Sequence, residues 1–181
     1  MPSLRFLASF FLSVIFWIVS PLFDKELLAR QVVGIDHPWW ALFATRNNPT
    51  AISKEVADYI ELTGEVGGIN THYLHRLWRR GIDEHVSRAA AACVRSSDPP
   101  TRSLGWYGLY LCGDQDRTNA PDHPRAVLKR AIAGSLEDHD AFYQIPLAIA
   151  ALSLAPSEAD IALIERCLHT KSRGRCQNSA S

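Results

Sequence analysis

The chain has 181 residues, of which 47% are hydrophobic, and its 19 basic and 19 acidic side chains give a formal net charge of zero. A chain without net charge has no long-range field to attract nucleic acid, so we expect no nucleic-acid partner. The roughly 155 residues that follow the most apolar segment are enough for one domain with its own hydrophobic core.

An uncharged apolar segment occupies residues 6–23 and is interrupted only by three serines and Pro21. At a helical rise of about 1.5 Å per residue it spans roughly 27 Å, close to the hydrocarbon thickness of a bilayer. It is longer than the core of a usual signal peptide, and no cleavage site with small residues follows it. These features predict a retained signal anchor within residues 1–23. The alternative is a cleaved signal peptide, which would leave the domain secreted or periplasmic.

The charges around this segment predict its orientation. Arg5 and the amino terminus precede it, whereas the acidic-rich residues 24–26 follow it, so the basic end should stay in the cytoplasm and the domain should face the periplasm or cell exterior. Residues 24–50 form a juxtamembrane segment. Trp39 and Trp40 in this segment are expected at the membrane interface, because indole rings favour the headgroup layer. The alternative is that they pack in the domain.

The apolar pattern of residues 51–169 is helical, with apolar side chains three and four residues apart between capping and stop residues. It predicts an all-α domain. The first helix begins near Ser53 and ends at Gly64, and the second runs from Asn70 to Gly81. Asp83 is expected to cap the third.

The third helix begins the first of two predicted helix pairs. The two pairs align with each other at an offset near 42 residues, so that Ala90 corresponds to Ala131 and Leu109 to Leu152. Residues 97–109 read Ser-Asp-Pro-Pro-Thr-Arg-Ser-Leu-Gly-Trp-Tyr-Gly-Leu. This stretch resembles the Asp-Pro turn and second helix of a HEAT repeat. The resemblance covers about two units, residues 82–168, and implies stacked helix pairs with a broad surface that binds a protein.

The second copy departs from the HEAT pattern. Gln144 occupies the region of the motif arginine, and Pro146 falls where the helix should already have formed. Because proline is tolerated only in the first turn, the sequence predicts a turn over residues 137–140 and a helix start near Tyr143. An irregular helical bundle, in which the two pairs merely look alike, is the alternative to a true repeat.

Two groups of residues have a spacing that suggests metal binding. His72 and His75 are three residues apart on a predicted helix and could share one metal ion. Surface histidines are the alternative, and no HExxH motif is present. Asp114 and Asp116 resemble a calcium loop superficially, but the glycine and glutamate of such a loop are missing, which favours an ordinary turn. We expect no bound metal or other cofactor.

Glu61 and Glu65 lie one helical turn apart and could serve as acid and base in the hydrolysis of a cell-wall glycan. Two carboxylates at this spacing are also common on a solvated helix face. Glu65 is therefore the candidate catalytic residue of an alternative hypothesis, in which the protein is a cell-envelope hydrolase.

The four cysteines separate into two pairs. Cys93 and Cys112 should lie too far apart along the predicted helix pair to form a disulfide. Cys167 and Cys176 could form one, because the second lies in a polar, basic tail over residues 170–181 that we expect to be mobile. The alternative is that all four are thiols.

The leading functional hypothesis is a membrane-tethered, outward-facing helical module that binds an unidentified protein and has no chemistry of its own. A periplasmic immunity protein against a secreted effector is a specialised form of it. Trp106, Tyr107 and Tyr110 are the predicted contacts with the partner, because aromatic side chains commonly anchor interfaces. Their burial between helices is the alternative.

Overall fold

A computed structural model describes residues 11–12, 14–15, 53–66, 68–114 and 120–177, with the backbone only for residues 68–70, 72–73 and 171–177. From Ser53 onward these residues form seven helices and no strand, which confirms the all-α prediction for this part of the chain. The helices are α1 (Ser53–Thr63), α2 (Gly68–Trp78), α3 (Glu84–Val94), α4 (Pro99–Leu111), α5 (Pro124–Ile132), α6 (Asp138–Leu152) and α7 (Glu158–Gln177).

Most of the predicted anchor, and both Trp39 and Trp40, lie outside the described residues. Within the anchor the structure describes four residues, all helical and exposed: Phe11, Leu12, Val14 and Ile15. Among the helices that can be described, none is both long and apolar enough to cross a bilayer.

Helix α4 lies at the centre of the domain. It packs against α2, α3 and α6, and ten of its thirteen residues are buried. Asp98 caps it by accepting a hydrogen bond from the Thr101 backbone N–H at 2.9 Å, and prolines occupy its first turn, where a missing N–H costs nothing. Helix α4 is therefore enclosed by its neighbours along most of its length.

Helices α3 and α4 approach each other closely because α4 has no side chain at two positions. A Cβ atom at Gly105 would lie 2.5 Å from the Val94 backbone nitrogen, and one at Gly108 would lie 2.6 Å from the Ala90 Cβ. Both distances are shorter than any normal contact. The two glycines thus allow the backbones to pack at a separation that alanine could not reach.

Helix α5 packs on the next helix, α6, and most of the other contacts alternate along the chain. Helix α1 packs on α3 and α5 on α7, while α2 packs on α4 and α4 on α6. This alternation is typical of stacked helix pairs, whereas the contact of α2 with α6 and the enclosure of α4 are typical of a compact bundle. The HEAT-type assignment of residues 82–168 remains a prediction.

Several predicted boundaries agree with the structure. Helix α1 ends at Thr63 and is followed by Gly64 with φ of 71°, a left-handed conformation that glycine adopts without strain. Asp83 caps α3 by accepting hydrogen bonds from the backbone N–H groups of His85 and Val86, both at 3.0 Å. Helix α2 begins at Gly68, two residues before the predicted start.

The predicted start of α6 is wrong. The helix begins at Asp138 and not near Tyr143, so residues 138–140 are its first turn and Pro146 lies inside it. Two carboxylates in that turn, Asp138 and Asp140, stabilise the positive end of the helix dipole. The helix therefore continues through Pro146, where one backbone hydrogen bond is lost.

Helix α7 is attached to α5 by a buried carboxylate. Ser157 and Asp160 cap the helix reciprocally: the Ser157 N–H donates to Asp160 Oδ2 at 3.1 Å and the Asp160 N–H donates to Ser157 Oγ at 3.2 Å. Arg125 of α5 donates two further hydrogen bonds to Asp160, at 2.6 and 2.9 Å. These bonds hold the pKa of Asp160 well below its usual value.

The cysteine geometry differs in part from the prediction. Cys93 and Cys112 are free thiols. Helix α7 runs to Gln177, so Cys167 and Cys176 lie nine residues apart on one continuous helix backbone. Their axial separation is about 13.5 Å, beyond the roughly 7 Å between Cα atoms that a disulfide tolerates. The helix therefore does not support the predicted Cys167–Cys176 bridge, which required the chain to turn back.

Candidate functional site

The aromatic residues predicted to contact a partner belong to the core. Trp106, Tyr107 and Tyr110 are only 2%, 1% and 6% exposed. They lie on the enclosed helix α4, where Tyr107 packs against the His75 ring with centroids 4.4 Å apart and Trp106 packs against His123 at 5.0 Å. Of the two interpretations of these residues, burial between helices is the one the structure supports.

The candidate metal ligands lie partly outside the described side chains. His75 contacts Tyr107, and the side chain of His72 is outside the described part, as is Asp116. Across the side chains that are described, no group of three or more His, Cys, Asp and Glu residues could hold a metal ion.

The two candidate carboxylates of a hydrolase have different surroundings. Glu61 lies on α1 and forms an ion pair with Arg88 of α3 at 2.9 Å. Glu65 lies beyond the end of that helix, exposed, and accepts a long hydrogen bond of 3.4 Å from Ser97. The helical spacing that suggested an acid and base pair thus does not apply, because Gly64 ends the helix between them.

A buried carboxylate lies where α4, α5 and α6 meet. Asp122 is almost completely buried and is bonded by Arg102 of α4 and by Arg130 of α5, the latter at 3.2 Å. Arg130 also donates to the Gln144 Oε1 atom of α6 at 3.4 Å. We call this group the arginine junction: Arg102, Ser103, Trp106, Asp122, His123, Arg130 and Gln144.

The arginine junction connects segments distant in sequence. Arg102 donates to the backbone carbonyls of Ser96 and Ser97 at 2.8 and 2.5 Å, which ties the turn before α4 to Asp122. His123 caps α5 by accepting from the Arg125 backbone N–H at 3.4 Å. A partly solvated arginine on a buried carboxylate stabilises the relative placement of these helices.

A different group of aromatic side chains is exposed at the start of α6. Phe142 is 62% exposed, and its ring meets Tyr143 edge-on with centroids 5.0 Å apart. Tyr143 in turn contacts His139 at 4.9 Å. Acidic side chains lie in the same turn, and all of these together form what we call the acidic-aromatic surface: Glu137, Asp138, His139, Asp140, Phe142 and Tyr143.

The acidic-aromatic surface lies at the start of a helix whose later residues are packed in the core. Downstream residues of α6 are buried against α4 and α5, among them Ile145, Leu147 and Ala148. Sequence reasoning missed the surface because residues 137–140 were assigned to a turn. The clue was an acidic first turn directly before two adjacent aromatic residues.

Comparisons with protein-family models, with curated proteins and with solved structures find no match to this chain.

Proposed function

We propose that the protein is a membrane-anchored helical module whose domain faces the periplasm or cell exterior and binds another protein. Binding occurs at the acidic-aromatic surface and involves no chemistry on the partner. Neutralising or scaffolding an envelope protein is the role that suits such a module, and immunity against a secreted effector is a specialised form of it. The observation that carries the proposal is the exposure of Phe142.

A large aromatic side chain that is mostly exposed on a helix can anchor an interface. Phe142 is accompanied by Tyr143 and His139, which extend the apolar contact area. The surrounding carboxylates Glu137, Asp138 and Asp140 give the surface a negative charge. The expected partner therefore presents a pocket for an aromatic ring next to basic side chains.

The test is a pull-down from detergent-solubilised membranes with the full-length chain as bait. We expect Phe142→Ala to lose the partner while its thermal unfolding stays close to that of the wild type, because the ring is mostly solvated. Leu62→Ala is the matched control, since Leu62 is also a large exposed side chain, at 82%, but belongs to α1. Capture that is equally strong with Phe142→Ala would contradict the proposal.

The hydrolase alternative predicts a different result in the same preparation. It requires the wild-type protein to turn over peptidoglycan and Glu65→Gln to abolish that turnover. Absence of peptidoglycan turnover by the wild type, together with loss of the partner in Phe142→Ala, would favour the binding proposal over the enzymatic one.

A further inference from the structure

Four hydrogen-bond donors of the arginine junction are buried without an acceptor. They are Ser103 Oγ, Trp106 Nε1, Arg130 Nε and Gln144 Nε2. The residues Ser103, Trp106 and Gln144 are each at most 3% exposed, so bulk water does not reach these donors. Buried polar atoms are nearly always paired, so a group of unpaired donors requires acceptors from outside the chain, either water or a ligand.

The residues that carry the four donors belong to one network of contacts. Arg130 bonds both Asp122 and Gln144, and Asp122 also bonds Arg102, the neighbour of Ser103. Trp106 lies one helical turn after Ser103 and contacts the ring of His123, which follows Asp122 in the chain. The junction therefore connects residues of three helices that carry these donors, although they span about forty positions of sequence.

The chemistry of the donors indicates what kind of ligand is missing. An indole N–H, an amide NH₂ and a guanidinium N–H can only donate, so each requires an acceptor. Two arginines face a single carboxylate at Asp122, which leaves one positive charge without a buried counterion. An acceptor that also carries negative charge satisfies both requirements.

We propose that the arginine junction binds a small oxyanion, of the carboxylate or phosphate type. Its oxygens accept from the unpaired donors, and its charge balances the second arginine. Entry is possible along the arginines, since the side chains of Arg102 and Arg130 remain 24% and 36% exposed. This inference is independent of partner binding at the acidic-aromatic surface.

The experiment measures the Tm of the full-length chain in detergent by circular dichroism, at constant ionic strength, with increasing acetate, inorganic phosphate or chloride. We expect acetate or phosphate to raise the Tm in a saturable way, by roughly 11 °C when the anion exceeds its Kd a hundredfold. Chloride, which is monatomic, should raise it less.

Gln144→Leu is the decisive variant, because it removes the unpaired donor, together with the Oε1 acceptor of Arg130, without changing the net charge. We expect it to abolish the oxyanion-dependent rise in Tm. Arg95→Gln is the control: it removes one positive charge at an exposed position outside the junction and should keep the rise. Ser103→Ala provides a second, smaller change that removes a donor if Gln144→Leu does not fold.

Two results would overturn the proposal. One is a wild-type Tm that does not respond to acetate or phosphate, which would leave the donors to internal water. The other is an equal response in Gln144→Leu, Ser103→Ala and the wild type, which would place the anion elsewhere on the protein.

Discussion

Substituting Gly105 by alanine tests the central packing of the domain. On helix propensity alone, replacing a glycine in the middle of a helix by alanine should stabilise the protein by about 1 kcal/mol. The structure predicts the opposite sign. The new Cβ atom would lie 2.5 Å from the Val94 nitrogen and 2.8 Å from the Ala90 oxygen, and both are backbone atoms that no rotamer change can move.

Relief of this overlap requires α3 and α4 to separate, which loosens packing in the most buried part of the core. Overpacking of this kind costs about 3 kcal/mol, so the net expected loss after the propensity gain is about 2 kcal/mol. The corresponding fall in Tm is roughly 8 °C for a domain of this size. Thermal unfolding followed by circular dichroism and the urea midpoint measure it, with Lys129→Ala at an exposed helical position as a control.

Gly108→Ala separates a side-chain overlap from a backbone one. Its Cβ would meet the Ala90 Cβ at 2.6 Å and the Trp78 ring at 2.7 Å. Adding Ala90→Gly should therefore recover part of the stability lost in Gly108→Ala but none of that lost in Gly105→Ala. A Gly105→Ala protein as stable as the wild type would refute the described contact between α3 and α4.

Two further predictions concern titratable groups. Because Arg125 and Ser157 lower the pKa of Asp160 from 3.8, its ionised form stabilises the fold above that pH and the contribution is lost as the pH falls below it. The Asp160→Asn protein should be less stable than the wild type at pH 7 by about 2–3 kcal/mol, and it should lose less stability than the wild type when the pH is lowered. A urea midpoint equal to that of the wild type at both pH 7 and pH 3 would contradict this. Burial raises the pKa of Cys93 to about 12, so iodoacetamide at pH 8 should label the partly exposed Cys112 well before Cys93, as measured by peptide mass spectrometry. Equal labelling rates in the native protein would show that Cys93 is accessible.

The helix boundaries were the most predictable feature, because local residues determine them. Gly64 ends α1 with a left-handed backbone, and Asp83 caps α3 through its own carboxylate, in both cases through atoms within a few residues. The start of α6 was mispredicted for a related reason. The prediction assumed that Pro146 must lie in the first turn. The helix instead begins at Asp138, because the acidic first turn and the burial of the following residues against α4 and α5 stabilise the longer helix.

The roles of the aromatic residues were not predictable from local pattern. Tyr107 and Phe142 are both aromatic residues on helices with weak apolar periodicity, yet the first is buried and the second is exposed. The difference depends on tertiary contacts: most residues of α4 are buried, whereas residues 137–143 at the start of α6 are exposed or half-buried.

The amino-acid sequence by itself determined that the described residues after position 52 form helices and where most of these helices begin and end, since capping residues, glycines and apolar spacing act over a few residues. Only the tertiary structure decided which helix lies at the centre of the domain. It also decided that Asp122 forms ion pairs with two arginines from different helices. The physical reason is that burial and charge pairing depend on which distant segments meet. The glycines at positions 105 and 108 permit the close contact between α4 and α3, but their spacing in the sequence does not specify that α3 is the partner helix.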